Sequence, residues 1–184
     1  MSRYVALLRG INVGGNNLIR MPALKTCFEA QGFGDVATYI QSGNVLFTAR
    51  RAGQRGLTRR IEEALSKTFG CRSRVVVRSF EQMKAIVGEA PKGFGARPGT
   101  YRYDVVFLKE PFTADEAMKI VTAKPGADRV FPGEGVLYLS RLTRKAAQSH
   151  LTRVVTTPAY QQMTIRNWTT TSKLVELMGG SQSQ

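Results

Sequence analysis

Val77-Arg78-Ser79-Phe80 and Ile165-Arg166-Asn167-Trp168 share one pattern: an apolar residue, an arginine, a helix-capping residue and an aromatic ring. Each ends an apolar run and opens a stretch with helical spacing, so each reads as a strand stepping into a helix. The spacing predicts a strand over Arg74–Arg78 and a helix over Phe80–Glu89 capped by Ser79. Upstream, Leu57, Ile61, Ala64, Leu65 and Thr68 mark one face of a helix over Leu57–Phe69, stopped by Gly70. Val36–Ile40 and Val45–Thr48 read as strands around the turn Gln41-Ser42-Gly43-Asn44. Met21–Gln31 reads as a helix with Pro22 in its first turn and Gly32 at its end. Arg3–Leu8 is nearly all apolar and reads as a central strand buried on both faces.

The same order recurs downstream. Tyr101–Leu108 reads as a strand and Thr113–Lys124 as a helix capped by Thr113. Asp128–Phe131 and Val136–Ser140 read as strands, Lys145–Val155 as a helix, Gln162–Arg166 as a strand and Thr169–Met178 as a closing helix. Strand-helix-strand-strand-helix-strand thus appears twice, each time followed by one more helix. The expected architecture is α+β: two ferredoxin-like α/β plait halves in tandem, each an antiparallel sheet with helices on one face. Residues 1–90 form the first half and 101–184 the second. The Gly- and Pro-rich stretch 91–100 is the expected linker.

Composition narrows the function classes. The 184 residues hold 27 Lys plus Arg against 13 Asp plus Glu, a formal charge of +14. The densest basic patch is Arg50, Arg51, Arg55, Arg59 and Arg60. Such a field draws polyanions, although an arginine-rich solvated surface would look the same. No apolar run approaches the roughly 20 residues of a membrane span. The basic, briefly apolar N-terminus lacks the pattern of a signal peptide, so the expected compartment is the cytoplasm. Neither Cys27 nor Cys71 belongs to a CxxC pair, and the lone His150 has no ligand types beside it. No metal and no cofactor are expected. Cys27 fits a buried small apolar residue. There is no nucleophile elbow, no HExxH and no close carboxylate pair.

Three motifs stand out: Leu7-Leu8-Arg9-Gly10-Ile11-Asn12-Val13-Gly14-Gly15, Thr38-Tyr39-Ile40-Gln41-Ser42-Gly43-Asn44-Val45 and Thr164-Ile165-Arg166-Asn167-Trp168-Thr169-Thr170. On these motifs the chain resembles a bacterial family of unknown function, number 1697 in that series, over nearly its whole length. Lys25 and Ile165 depart from the family pattern. The resemblance implies a two-part α/β plait and no established activity.

The residues themselves allow two accounts. In a βαββαβ plait the first two strands run the same way, so the loop 9–17 and the hairpin 41–44 should meet at one rim. Arg9 offers a planar fork of donors for phosphate or carboxylate. Gly14 and Gly15 let backbone amides approach an anion, and Asn12 and Asn16 donate and accept beside them. Gln41, Ser42 and Asn44 would complete that rim. Arg166 and Asn167 could hold an anion at a helix N-terminus, with Trp168 stacking on a base. Turn, cap and packing chemistry alone accounts for the same residues. Neither GxGxxG nor GxxxxGK[ST] is present.

Three function classes follow. The first is a binding protein for phosphate-bearing small molecules or nucleic acid, using the loop and hairpin. The second is a small-molecule enzyme with a cleft between the halves. The third is a protein-interaction module, marked by an exposed apolar patch. Recognition of RNA on an open sheet face is disfavoured, because Arg3–Leu8 and Val45–Thr48 show no exposed aromatic pattern.

Overall fold

An unbroken apolar strand must be covered on both faces, and β1 (Ser2–Arg9) obeys that demand: Tyr4 through Leu8 are all buried. The computed structural model describes residues 1–12 and 18–180. In the first half β1 is followed by α1 (Met21–Glu29), β2 (Gly34–Tyr39), β3 (Asn44–Ala49), α2 (Gln54–Phe69), β4 (Arg74–Ser79) and α3 (Phe80–Gly88). The second half holds β5 (Tyr101–Leu108), α4 (Ala114–Met118), β6 (Asp128–Gly133), β7 (Val136–Leu142), three short 3-10 turns, β8 (Met163–Asn167) and α5 (Trp168–Gly180).

The strands form two four-stranded antiparallel sheets, ordered β2-β3-β1-β4 and β6-β7-β5-β8. The registers of the pairs made by β1 and β5 correspond residue by residue. Val5 lies between Leu46 and Arg78, and Val105 lies between Tyr138 and Arg166. The two tetrapeptides that repeat in the sequence therefore hold the same place in the two sheets.

The chain divides into two compact units, Met1–Met83 with Leu174–Gln184, and Lys84–Lys173. In the first unit, Ala6 and Leu8 pack with Val45, Phe47, Val75 and Val77 under α1 and α2. Ile61 and Leu65 of α2 are sealed, each contributing about 1.5–3 kcal/mol. In the second unit Val106, Leu108, Leu137 and Leu139 pack under Ala117, Leu151 and Val154. The opposite faces are buried as well: Val5, Leu7, Val105 and Phe107 have no exposed surface. Residues 91–100 are folded rather than loose. Pro91 accepts from the Phe94 amide at 2.8 Å, and the Phe94 ring meets Tyr103, Tyr138 and Trp168 edge-on.

The caps follow the sequence closely. Ser79 and Gln82 bond reciprocally at the start of α3, and Thr113 and Glu116 form the same box at α4. Gly70 ends α2 at φ +65°. Two expected helices differ. The helix expected over Thr113–Lys124 stops at Met118, and the end of the expected span is held outside a helix, since Asp128 Oδ2 takes the Lys124 amide at 2.9 Å and Pro125 follows. The helix expected over Lys145–Val155 becomes separate 3-10 turns, Thr143–Gln148 and Leu151–Thr156. Asp128 Oδ2 also accepts the His150 amide at 2.8 Å, and Ser149 Oγ accepts that of Leu151, which withdraws both from a helical ladder. The run Val154-Val155-Thr156-Thr157 adds β-branched crowding. Among the described residues no helix is long and apolar enough to cross a membrane, and no group of three or more His, Cys, Asp or Glu could hold a metal ion.

Candidate functional site

The end of β1 turns through Gly10 at φ +77° and Asn12 at φ +52°. Asn12 then works as a clamp. Its Nδ2 donates to Ile19 O at 2.9 Å and to Gln41 O at 3.1 Å, and its Oδ1 accepts from Ile19 N at 2.8 Å. The Leu8 amide donates to Gly43 O at 2.8 Å. The end of β1 and Asn12 are thus bonded to the 41–44 hairpin. Gly14, Gly15 and Asn16 lie outside the described residues.

The hairpin presents Gln41 and Ser42 to solvent and turns Asn44 inward. Asn44 is fully buried, with Nδ2 donating to Tyr39 O at 2.9 Å and Ser42 Oγ at 3.1 Å. Its amide shapes the turn from inside. Gly43 stands at φ +81° against Ile11 and Leu8, leaving no room for a side chain.

Arg9 is half-buried at the same rim, and its carbonyl accepts from Ser73 Oγ at 3.0 Å. It pairs directly across β1–β4 with Arg74, which is exposed. Two arginine side chains thus start from opposed positions at this rim.

The third motif belongs to the other unit. Arg166 is only 8% exposed and donates from Nη1 to Ile165 O at 2.9 Å. Burial pulls its guanidinium down to about 10, against a smaller upward pull from Tyr160. Its counterpart Arg78 is also buried, with Nη1 donating to Val77 O at the same 2.9 Å. Asn167 is exposed and caps α5, its Oδ1 accepting from Thr170 N at 2.7 Å. Trp168 is half-buried, its ring perpendicular to Phe94 at 5.1 Å between centroids.

Sequence reasoning missed two features. Tyr101 and Tyr103 alternate along β5 and, with Phe94 and Phe131, line a shallow recess beside Lys92 and Arg129. The alternating tyrosines at the polar end of an apolar strand were the available signal. A cavity in the same unit is lined by Arg102, Asp104 and Arg141. Arg102-Tyr103-Asp104 puts two charges on one face of a strand, and that was its signal.

Comparison with known proteins gives a fold and a family. The solved structure of the conserved bacterial protein SP0830 from Streptococcus pneumoniae is similar, with a TM-score of 0.82 and 24% identity over 96% of this chain and 98% of that one. At that identity the likeness shows the fold alone. No curated protein matches the chain. The family model described as protein of unknown function (DUF1697) matches residues 1–138, and the chain belongs to that family.

Proposed function

We propose that the chain binds phosphate-bearing ligands, nucleotides or RNA, at the rim formed by the end of β1, the following loop and the 41–44 hairpin. The observation that carries this reading is Arg9 directly opposite Arg74, beside a hairpin pinned by Asn12. An anion seated there would be within reach of two guanidinium groups, which suit phosphate as planar donors. Gln41 and Ser42 supply exposed polar groups, while Asn12, Gly43 and Asn44 hold the rim in shape. Gly14, Gly15 and Asn16 would add backbone and amide donors. In the second unit, Asn167 and Trp168 offer a separate point of contact at the start of α5, and Arg166 acts from the interior as its support. The net charge of +14 brings polyanions to the surface. The reading assumes a cytoplasmic setting and no metal. The order β2-β3-β1-β4 and its repeat in the second sheet support describing each half as an α/β plait that arose by duplication.

The test is native mass spectrometry for retained ligand, followed by titration with a panel of nucleotides and short RNAs at low and high salt. Affinity should fall steeply with salt. Arg9→Ala and Arg74→Ala should each weaken binding about tenfold or more, with circular dichroism unchanged. Binding that ignores salt, or that survives both substitutions, overturns the reading.

A further inference from the structure

The pairs made by β1 and β5 match in register, so each position in them has a counterpart in the other half. Tyr4 and Phe47 stack at 5.6 Å beneath the sixteen-residue α2 in the first half. Tyr4 precedes Val5, and Phe47 follows Leu46, the partner of Val5. The counterparts in the second half are Asp104 and Leu139, and the counterpart of Ala49 is Arg141. There the covering element is broken into 3-10 turns. Where the first half is filled by rings and a helix, the second half has a cavity of about 190 Å³.

Its lining mixes charged and apolar side chains. Arg102, Asp104 and Arg141 line it from the sheet together with Leu139 and Ile165, and Leu151, Thr152 and exposed Val155 line it from the 3-10 turn. Asp104 Oδ2 accepts from Arg102 Nε at 3.0 Å. Asp104 Oδ1 is sealed from solvent and has no hydrogen-bond partner among the described residues. A buried acceptor of that kind calls for a donor. Asp104 and Arg141 are diagonal neighbours across β5–β7, about 7–8 Å apart along the backbone. A simple anion would meet the unsatisfied carboxylate oxygen, and a simple cation would meet two arginines. A molecule carrying both charges on one small head satisfies both.

We infer that this cavity binds a free α-amino acid with a short aliphatic side chain, its ammonium on Asp104, its carboxylate on Arg141 and its side chain against the apolar lining residues. The volume suits such a ligand and lies well under the roughly 300–1,000 Å³ of drug-sized sites. The site lies wholly in the second unit and is independent of the phosphate rim.

Titration of the full chain by calorimetry and thermal shift, with L-leucine and L-valine as probes, tests the inference. N-acetyl-L-leucine, which lacks the ammonium, and isopentylamine, which lacks the carboxylate, are the controls. Saturable binding of at least one amino acid is expected, with neither control binding. Asp104→Asn, which keeps the side-chain shape, and Arg141→Gln should each weaken it at least tenfold. Val155→Trp, placed at an exposed position, should block it with the fold intact, and Arg9→Ala should leave it unchanged. No saturable response to either amino acid overturns the inference. So does equal binding of a control, or binding retained by all three cavity variants.

Discussion

Gly43 and Gly10 both take positive φ, +81° and +77°, yet their surroundings differ. A Cβ at Gly10 would meet open space, whereas one at Gly43 would press on Ile11 and Leu8 at under 3 Å. Gly10→Ala should therefore lose about 1 kcal/mol from backbone strain, and Gly43→Ala about 2–3 kcal/mol from strain and overpacking together. Urea unfolding of the two variants measures this, and equal losses would count against the close packing of the hairpin. Asp128 is the second decisive residue. Burial pushes its carboxyl up, but the amides of Lys124 and His150 outweigh burial and hold it below the ordinary 3.8. A folded value below the unfolded one means its stabilisation is complete above about pH 4 and is lost as pH falls through the folded value. Asp128→Ala, which orphans two backbone amides, should cost about 2–4 kcal/mol at pH 7. Asp128→Asn should flatten the acid limb of stability against pH, and an unchanged limb would sink this account. The sequence marked Asn12, Gln41, Ser42 and Asn44 as a group but not their directions. Only the fold shows Asn44 turned inward and Gln41 and Ser42 turned outward, because a side chain's direction in a tight turn depends on the neighbouring strand.

At the scale of elements, the readable parts were those fixed by local chemistry. The β1 strand, α2 with its Gly70 stop, and the Ser79 and Thr113 caps all rest on residues within a few positions of one another. Lys145–Val155 had helical apolar spacing, but a carboxylate more than fifteen residues upstream claimed the His150 amide. No local pattern announces such a competitor. The same limit hid the cavity over Asp104, since it is lined in part by the 3-10 turn that replaces the expected helix. The cap of α5 is a clean element-scale test. Asn167→Ala should cost about 1 kcal/mol, whereas Asn167→Asp should cost little, because a carboxylate also accepts from the Thr170 amide and suits the helix N-terminus. Thermal unfolding of the pair reads the difference, and a loss as large for Asp as for Ala would show that Asn167 acts by some means other than capping.

For the molecule as a whole, β1 and β5 are the centres of their sheets, each paired on both sides and buried on both faces. Amides of Val5–Leu7 and Val105–Phe107 should exchange with deuterium only through global or unit-wide unfolding, while those of edge strands β2 and β6 should exchange sooner. Edge amides as slow as central ones would contradict that ranking. The division into units carries a further consequence for biosynthesis. The first unit draws its residues from both sides of the second, Met1–Met83 and then Leu174 onward. On a ribosome releasing the chain from its N-terminus, every residue of the second unit emerges before the first unit has all of its own. Arg3 must wait for the carbonyl of Met178 that it finally holds. The earliest strand to be made is thus among the last to be finished.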